Sequence, residues 1–315
     1  MGRTAPHTSL APPRTVSWQV PRGELGDLAM LSNPQPRPAA CCIVFWDYDT
    51  QWGADRSRSP EGARWSGCTE FENTERLLDL HAQYEVPACF AVVGAAALPG
   101  ERPYHDPAQI RRIHANGHEI ASHSFHHEWL PGIGRSRLLE TLRRSKDALE
   151  QCIGAPVVTF VPPFNQPFDH ASRGSFSLSE RREAGPGRTD LPRLCAALRE
   201  TGYRVCRVSY RSLPERVRDW FVGGSVDRPV LPEAIAGLTC VRLNTPGGFA
   251  EASTAVLSRC VRAGGITLVY GHPHSLHAGN AQDERWLAPF LEQVQRLQRR
   301  GLLRVCLPHA LRVGD

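Results

Sequence analysis

Several features that would assign the chain at once to a function class are missing from its sequence. No apolar run approaches the roughly 20 residues that a membrane-spanning helix requires. The first 20 residues also contain no apolar segment typical of a secretory signal. We therefore expect a protein that has no transmembrane segment and stays in the cytoplasm. Lysine is nearly missing too, because Lys146 is the only one.

Blocks of like charge and paired cysteines are also lacking. The net charge of +5 is modest for 315 residues, and no run of Lys and Arg exceeds three, so no nucleic-acid partner is expected. The ten cysteines include no C-x-x-C pair, which argues against a cysteine zinc site. Most of them lie in apolar runs, which predicts buried free thiols in a reducing compartment. Examples are Cys41, Cys42, Cys89, Cys206 and Cys306.

The chain divides into a proline-rich start and a long alternating remainder. Residues 1–40 contain seven prolines and little periodicity, which predicts an N-terminal extension. Residues 41–315 alternate between apolar runs and amphipathic ones, as expected for parallel strands covered by helices. The predicted strands are Cys41–Asp47, Ala88–Val93, His118–Ser122, Val157–Val161, Tyr203–Val208, Leu238–Leu243, Ile266–Gly271 and Leu302–Leu307. The predicted helices are Thr69–Tyr84, Pro107–Asn116, Ser136–Ile153, Leu191–Thr201, Ala250–Ala263 and Asp283–Arg299.

This alternation predicts an α/β protein, and seven or eight strand–helix units favour a barrel over an open sheet. Residues 165–190 interrupt the pattern with a polar segment rich in Gly, Ser and Arg. A loop longer than about 15 residues is usually functional or disordered. Because this one follows a predicted strand directly, we predict a lid that faces the substrate.

Two carboxylates, Asp47 and Asp49, stand two residues apart at the end of the first apolar run. Side chains two apart share a face of a strand, so both carboxylates are expected on one side. Two close like charges are destabilising unless a cation or a shared proton compensates. The pair therefore favours a metal ligand beside a general base, although a strand-end cap plus a surface Asp is the alternative.

Four histidines, His118, His123, His126 and His127, lie within ten residues of sequence that begin with the third predicted strand. His123 and His127 are four residues apart, and on a helical turn that spacing aims both imidazoles at one point. The two lie at a predicted strand-to-helix junction, and we predict that they bind a metal. His126 points elsewhere on such a turn and is expected to be structural. A surface position for His118, His126 or His127 is the alternative.

Two further strand ends carry residues suited to catalysis. Pro162 and Pro163 stiffen the chain, which would present the backbone N–H of Phe164 as an oxyanion donor, unless they only terminate the strand. His272 follows the apolar run Ile266–Gly271 and is a candidate general acid, and His274 competes for that role.

Each of the four motifs therefore lies at the C-terminal end of a predicted strand. In barrel enzymes the active site is built at that face.

Taken together, these residues resemble the polysaccharide deacetylase (NodB-homology) family over roughly residues 40–310. The resemblance implies a distorted (β/α)7 barrel and a metal-dependent hydrolase that removes the acetyl group from an N-acetylated sugar. It implies that Asp47 is the base and that His272 is the general acid. It also implies that Asp49, His123 and His127 hold one divalent metal ion, with zinc first and cobalt, nickel or manganese as alternatives.

The resemblance extends to the groups that would contact a substrate. The backbone N–H of Phe164 is implied as the oxyanion donor. The substrate-binding residues that we predict are Trp52, Pro163, Asn165 and Trp220. Trp46 is an alternative to Trp52 for stacking on a sugar ring, and Asp219 is the candidate carboxylate partner of His272. The expected partner is an N-acetylated sugar, such as an intracellular glycan precursor, or a related small amide.

The third motif departs from the family pattern. It usually begins with an Arg that pairs with the base Asp and ends in Gly, whereas this chain has Val161 and Asn165 there. The orientation of the base must therefore come from elsewhere, or the reaction differs. Relatives that lack this Arg include cyclic-amide hydrolases, so a hydrolase of cyclic imides or ureides on the same barrel is one alternative. A non-catalytic carbohydrate-binding homologue is another.

Overall fold

The structure is a computed structural model, and it describes residues 40–56, 68–165, 190–209 and 230–313. The N-terminal extension predicted for residues 1–40 and the lid predicted for residues 165–190 lie outside the described residues, except for Ala40, Asn165 and Asp190. Both therefore stay predictions.

Among the residues described, one sheet of nine strands forms the centre of the fold. The strands are β1 (Ala40–Tyr48), β2 (Cys89–Val92), β3 (Glu119–Ser122), β4 (Thr159–Phe160), β5 (Val205–Val208), β6 (Glu233–Ile235), β7 (Leu238–Arg242), β8 (Gly265–Gly271) and β9 (Arg304–Val305). Seven of them run parallel in the order β7-β5-β4-β3-β2-β1-β8. Strand β6 pairs antiparallel with β7, and β9 pairs with the start of β1.

Seven helices accompany the strands in the described part of the chain. They are α1 (Thr50–Arg56), α2 (Cys68–Tyr84), α3 (Pro107–Ala115), α4 (Arg135–Ile153), α5 (Leu191–Glu200), α6 (Glu251–Ala263) and α7 (Glu284–Arg299). Asp106, Asp190 and Asp283 each accept a backbone N–H at a helix start, which satisfies a donor that the helix itself leaves unpaired. Of the helices described, none is long and apolar enough to cross a membrane.

The two faces of the sheet bury different sets of side chains. Along β1, Cys42, Val44 and Trp46 face the helices, whereas the alternate residues face the inside of the curled sheet. The inner set consists of Cys41, Ile43, Phe45, Cys89, Ala91, Ala121, Val161, Val205, Val241, Leu243, Ile266, Leu268, Tyr270 and Leu311. Asp47 continues the inner row of β1, so the period-two alternation directs its carboxylate to that face.

In the described part of the chain, side chains and one isolated backbone bridge join the two ends of the curled sheet. Asn244, just after β7, donates its Nδ2 to the carbonyl of Ile266 (2.8 Å) and accepts the N–H of Leu268 at Oδ1 (3.0 Å). Thr245 donates its hydroxyl to the Leu268 carbonyl (2.7 Å), and Val230 forms an isolated bridge with Ile266. These bonds tie β7 to β8 and keep the sheet curled.

The predicted α/β fold class is confirmed, because each predicted strand and helix corresponds to an observed one and the parallel sheet is curled. The prediction missed two short elements, α1 and β6. Helix α1 has only seven residues and contains Gly53, so it lacks the long amphipathic pattern that identifies a helix.

The expectation that the cysteines are all free thiols is wrong for Cys41 and Cys306. A disulfide joins these two residues, whose Cα atoms are 6.2 Å apart. The pairing of β9 with β1, including the bond from the Cys306 N–H to the Cys42 carbonyl, brings the two cysteines together. A contact between residues 265 positions apart leaves no local pattern in the sequence. Seven other cysteines are free, and six of them are buried as expected.

Two buried histidines contribute to the core beneath β1 and β2. His81 donates Nδ1–H to the Val86 carbonyl (2.6 Å) and accepts the indole N–H of Trp46 at Nε2 (2.8 Å). His118 accepts the Ala88 N–H at Nδ1 (3.0 Å). Burial lowers the pKa of His81 from 6.5 to about 4 and that of His118 to about 3. Both imidazoles are therefore neutral in the folded chain at neutral pH.

Replacing Asn244 with Leu should destabilise the fold by about 2 kcal/mol, because the buried N–H of Leu268 loses its partner and the Ile266 carbonyl keeps only the N–H of Val230. Urea unfolding of the wild type and the variant measures the change. Asn116→Leu is the matched control, since the exposed Asn116 amide bonds only within its own helix. Equal stability of the two variants would contradict a role of Asn244 in joining the sheet ends.

The two core histidines should make the protein lose stability in mild acid. Above pH 6.5 both are neutral in the folded and the unfolded chain, and as the pH falls towards 4 the unfolded chain takes up protons first. His81 alone would account for a loss on the order of 3 kcal/mol. The free energy of unfolding, measured between pH 8 and pH 4, should fall less steeply in His81→Gln/His118→Gln. Parallel curves would contradict the assignment.

Candidate active site

The first pair of predicted site residues lies where β1 ends. Asp47 is the eighth residue of β1, and Asp49 follows the strand directly. Both carboxylates are buried, each with only 2% of the residue exposed. The backbone N–H groups of Asp49 and Thr50 donate to the two carboxylate oxygens of Glu70 on α2 (2.9 and 2.8 Å). Three buried carboxylates therefore occupy this end of the strand.

The two predicted metal-binding histidines belong to a loop rather than to a helical turn, so the expected helical junction is wrong. His123 follows β3, and the chain reaches His127 without a helix because Ser124 and His127 both have a left-handed backbone (φ 62° and 55°). These two bends bring the imidazoles together, with ring centroids 5.0 Å apart. The two imidazoles thus converge through a bent loop, whereas the sequence analysis predicted a helical turn.

Asp49, His123 and His127, which the sequence analysis predicts as metal ligands, converge in the structure and could hold a metal ion. Their ligand atoms all lie within 4.8 Å of one another. Oδ1 of Asp49 lies 3.3 Å from Nε2 of His123 and 3.6 Å from Nε2 of His127. His123 donates Nδ1–H to the carbonyl of Val161 (2.7 Å), which leaves the lone pair of Nε2 directed at Asp49.

This arrangement fits a divalent cation. Oδ1 of Asp49 is buried and accepts no hydrogen bond from any group that the structure describes, which is unfavourable for a carboxylate unless a cation compensates. One carboxylate and two imidazoles are the ligands that zinc accepts in sites with an open position. The carboxylate of Glu70, in contrast, accepts two backbone N–H groups, so both of its oxygens have a partner.

Buried charges set the pKa values in this cluster. Burial opposes ionisation of Asp49, but His127 and His123 outweigh it and lower the pKa of that carboxyl. Burial lowers the pKa of His127 to about 4, against the attraction of Asp49. Burial and the nearby Asp49 raise the pKa of Glu70 well above its ordinary value. A bound cation would relieve the repulsion between the two carboxylates.

Strained backbone is concentrated at this site. Six non-glycine residues of the described chain have a left-handed backbone, and four of them adjoin or form the site: Thr50, Ser124, His127 and Phe164. Such a conformation costs on the order of 1–3 kcal/mol for a residue with a side chain, and it persists where the surroundings enforce it. The clustering indicates that the loop positions are held for a purpose other than stability.

Glu128 holds the histidine loop in this shape. Its Oε2 accepts the N–H of His126 (2.9 Å), and its Oε1 accepts the hydroxyl of Thr141 on α4 (2.6 Å). The N–H of Glu128 donates to the hydroxyl of Ser124 (3.0 Å). Ser145 on α4 donates to the Ser124 carbonyl as well (3.0 Å). The loop is thus fixed to α4 on both sides of its left-handed bends.

Arg207 is the functional residue that the sequence analysis missed. It lies on β5, is 1% exposed, and faces the inside of the sheet between the rings of Phe45 and Tyr270 (5.1 and 5.0 Å). Its guanidinium donates to both oxygens of Asp47, at 2.8 and 2.6 Å. Burial alone would raise the pKa of Asp47, but Arg207 and, less strongly, His123 lower it below its ordinary value.

The orientation of Asp47 therefore comes from β5, one strand beyond the position of Val161. A bidentate arginine fixes both the direction and the ionised state of a carboxylate. The available signal was weak, because the predicted strand Tyr203–Val208 contains two arginines, and a charged side chain in a buried strand needs a partner. The structure buries Arg207 and leaves Arg204 exposed.

The structure distinguishes the two histidines after β8. Nε2 of His272 lies 3.9 Å from Oδ2 of Asp47, and its side chain is 24% exposed. Its backbone N–H donates to Oε1 of Gln282 (2.5 Å). His274 packs beside it, with ring centroids 5.1 Å apart, but is buried, and burial lowers its pKa to about 3. His272 is therefore the histidine placed beside the predicted base, and its role as general acid stays a prediction.

The third motif contributes a strained turn. Pro163–Asn165 forms a short 3-10 segment in which Phe164 has φ 59° and ψ 25°. The Phe164 ring packs against His127 (4.5 Å) and Trp129 (5.7 Å), which places this turn at the metal-ligand cluster. Pro163 is buried. The oxyanion role of the Phe164 N–H and the substrate contacts of Pro163 and Asn165 stay predictions.

The structure gives different results for the three tryptophans that the sequence analysis named as possible substrate contacts. Trp46 is fully buried and donates to His81, so the prediction that it stacks on a sugar ring is wrong. Period-two alternation turns it to the helix side of β1, opposite Asp47. Trp52 is partly exposed and packs against His126 (4.5 Å) and Tyr104 (5.0 Å). Its substrate contact stays a prediction, and Asp219 and Trp220 lie outside the described residues.

Replacing Arg207 with Met should destabilise the fold by about 3–5 kcal/mol, because Asp47 would remain buried without its partner. Urea unfolding in the presence of a chelator isolates this effect from metal binding. Arg76→Met removes an exposed arginine from its pair with Glu284 and should cost less than about 1 kcal/mol. The double variant Asp47→Leu/Arg207→Met should recover most of the loss. Additive losses would contradict the coupling.

Comparison with known proteins finds similarity in part of the chain. The polysaccharide deacetylase family model matches residues 67–174, the segment that contains His123, His127 and Phe164. A chitooligosaccharide deacetylase of Sinorhizobium fredii is 42% identical over 62 residues, which is 20% of this chain and 26% of that protein. An uncharacterized protein of Bacillus subtilis, YlxY, is 28% identical over 92 residues, or 29% of this chain and 27% of that protein. The matches thus span about a quarter of each curated relative.

A solved structure shows the same fold along nearly the whole chain. A candidate polysaccharide deacetylase from Mycobacterium smegmatis superimposes with a TM-score of 0.59 at 19% identity and covers 90% of this chain and 92% of its own. The chain is thus similar to the polysaccharide deacetylase family over residues 67–174, and it shares the fold of this solved structure along most of its length.

Proposed function

We propose that the chain is a metal-dependent hydrolase of amide bonds that removes the acetyl group from an N-acetylated sugar. The observation that carries the proposal is the convergence of Asp49, His123 and His127 beside the buried pair of Asp47 and Arg207. The family, and the deacetylase activity in the name of the Sinorhizobium fredii relative, support the sugar amide as substrate class.

Asp49, His123 and His127 would hold the metal ion, which we propose is zinc, with cobalt, nickel or manganese as substitutes. A divalent cation there supplies a Lewis acid that polarises the acetamide carbonyl. The His127 imidazole is neutral, as ligation requires, because burial lowers its pKa to about 4. The bond from His123 to the Val161 carbonyl keeps one imidazole in the ligating tautomer.

Asp47 is proposed as the general base. Arg207 keeps it ionised, so it can accept a proton from the water that attacks the carbonyl carbon. The developing oxyanion would be stabilised by the backbone N–H of Phe164, which the left-handed turn holds next to His127. As the carbon–nitrogen bond breaks, His272 donates a proton to the leaving amine, which yields the free amino sugar and acetate.

The cyclic-amide alternative loses its main support. It was based on the apolar Val161 at the position where the family usually has the arginine partner of the base. Arg207 supplies that partner from β5, so the departure in sequence does not require a different reaction. Trp52, Pro163, Asn165 and Trp220 are proposed to contact the sugar.

Metal analysis of the purified protein tests the proposal first. We expect about one divalent ion per chain in the wild type and almost none in Asp49→Ala, His123→Ala or His127→Ala, because each variant removes one of three ligands. The matched control is His126→Ala, which lies between the two ligating histidines but packs on Trp52 and should keep the metal. A wild type that binds no metal even after reconstitution would contradict the proposal.

Activity assays separate the remaining alternatives. Acetate release from N-acetylated chitooligosaccharides should be detectable in the wild type and lost in His123→Ala together with the metal. Ring opening of cyclic imides without acetate release would indicate the cyclic-amide hydrolase. Sugar binding by the metal-loaded wild type without either reaction would indicate a carbohydrate-binding homologue.

A further inference from the structure

Glu70 is a buried carboxylate that the proposed reaction does not use. It lies in the first turn of α2 and is 0% exposed. Its Oε1 accepts the N–H of Asp49 (2.9 Å) and its Oε2 accepts the N–H of Thr50 (2.8 Å). The helix holds Glu70 in turn, because the hydroxyl of Thr74 donates to the Glu70 carbonyl (2.7 Å). Both oxygens are therefore engaged by the backbone that carries a predicted metal ligand.

These two bonds determine the path of the chain where it leaves β1. Asp49 follows the last strand residue, and Thr50 has a left-handed backbone with φ 54°, which is unfavourable for a β-branched residue. Helix α1 begins at Thr50, and the N–H of Gly53 donates to the Asp49 carbonyl (3.1 Å). The carboxylate of Glu70 thus stabilises a sharp and strained turn from strand into helix.

The side chain of Asp49 is confined from the opposite side by Gly53. A Cβ atom at Gly53 would lie 2.5 Å from Cβ of Asp49 and 3.2 Å from its Oδ2, closer than atoms pack. A side chain at position 53 would therefore displace Asp49, whose Oδ1 lies 3.3 and 3.6 Å from the Nε2 atoms of His123 and His127. Its position depends on the turn that Glu70 holds.

We propose that Glu70 is the positioning residue of the metal centre, which fixes Asp49 for ligation through its two backbone N–H bonds. The inference rests on the proposed metal site. A carboxylate is costly to bury beside another carboxylate, and a neutral side chain would satisfy one N–H at lower cost. Two parallel N–H bonds to one rigid carboxylate, however, fix the orientation of two successive residues.

Metal affinity of the apo protein tests this inference, since a residue with a purely structural role would not alter it. Glu70→Gln keeps the shape of the side chain but places an amide NH2 against one of the two N–H donors. We expect the zinc dissociation constant, measured by competition with a chromogenic chelator, to rise at least about tenfold. The matched control Glu72→Gln, at an exposed position of the same helix, should bind zinc like the wild type.

A double variant shows whether the effect passes through Asp49. In an Asp49→Ala background, Glu70→Gln should weaken the remaining zinc binding less than about twofold, and an additive tenfold loss would overturn the inference. If Glu70→Gln does not fold, Glu70→Asp keeps the charge, retracts the oxygens, and should show the same loss. Unchanged affinity in a folded Glu70 variant overturns the inference while the metal site stands. No zinc binding in the wild type overturns both.

Discussion

A carboxylate buried inside a parallel sheet requires a compensating charge, and here the guanidinium of Arg207 provides it for Asp47. The pair joins β5 to β1 through the interior, so two strands that are not neighbours are coupled by charge as well as by packing. Phe45 and Tyr270 flank the guanidinium and exclude water from it. In this low-dielectric interior the two side chains are held in one geometry, and removing either one would leave the other as an unpaired buried charge.

The same constraint organises the neighbouring residues. With Asp47 satisfied by Arg207, Asp49 is left with a buried oxygen that accepts no hydrogen bond from the described residues, and it faces the imidazoles of His123 and His127. Its backbone is held by Glu70, and the histidine loop is held by Glu128. The Asp49 backbone and the histidine loop are thus each held in place by hydrogen bonds to a buried glutamate. These hydrogen bonds explain how four residues at the site, Thr50, Ser124, His127 and Phe164, keep a left-handed backbone.

Much of the fold was predictable because hydrophobic periodicity is local. The apolar run Cys41–Asp47 and the amphipathic run Asp283–Arg299 correspond to β1 and α7 with shifts of at most one residue at each end. The site residues Asp49, His123 and His127 were also predictable, since their side chains have few structural uses so close to strand ends. The helical turn proposed for the histidines was wrong, because sequence spacing does not reveal a left-handed backbone at Ser124.

What escaped prediction depends on contacts between distant residues. Arg207 and Asp47 are 160 positions apart, and Glu70 reaches Asp49 from another helix. The cross-link between Cys41 and Cys306 depends on the pairing of β9 with β1, which no local pattern announces. The burial of Trp46 followed from a strand alternation that the sequence did contain, since Asp47 and Trp46 must face opposite sides.

Gly53 carries a consequence for the evolution of such sites. Its missing side chain is what leaves room for Asp49, and it lies four residues further along, at the facing position of the first helical turn. We therefore expect the pattern Asp-x-Asp-x-x-x-Gly to be inherited as a unit. A larger residue in place of Gly53 would displace the side chain of Asp49 even though Asp49 itself is unchanged. A descendant that has lost the metal would be released from that restriction, and a larger residue at this position would be the trace of the loss.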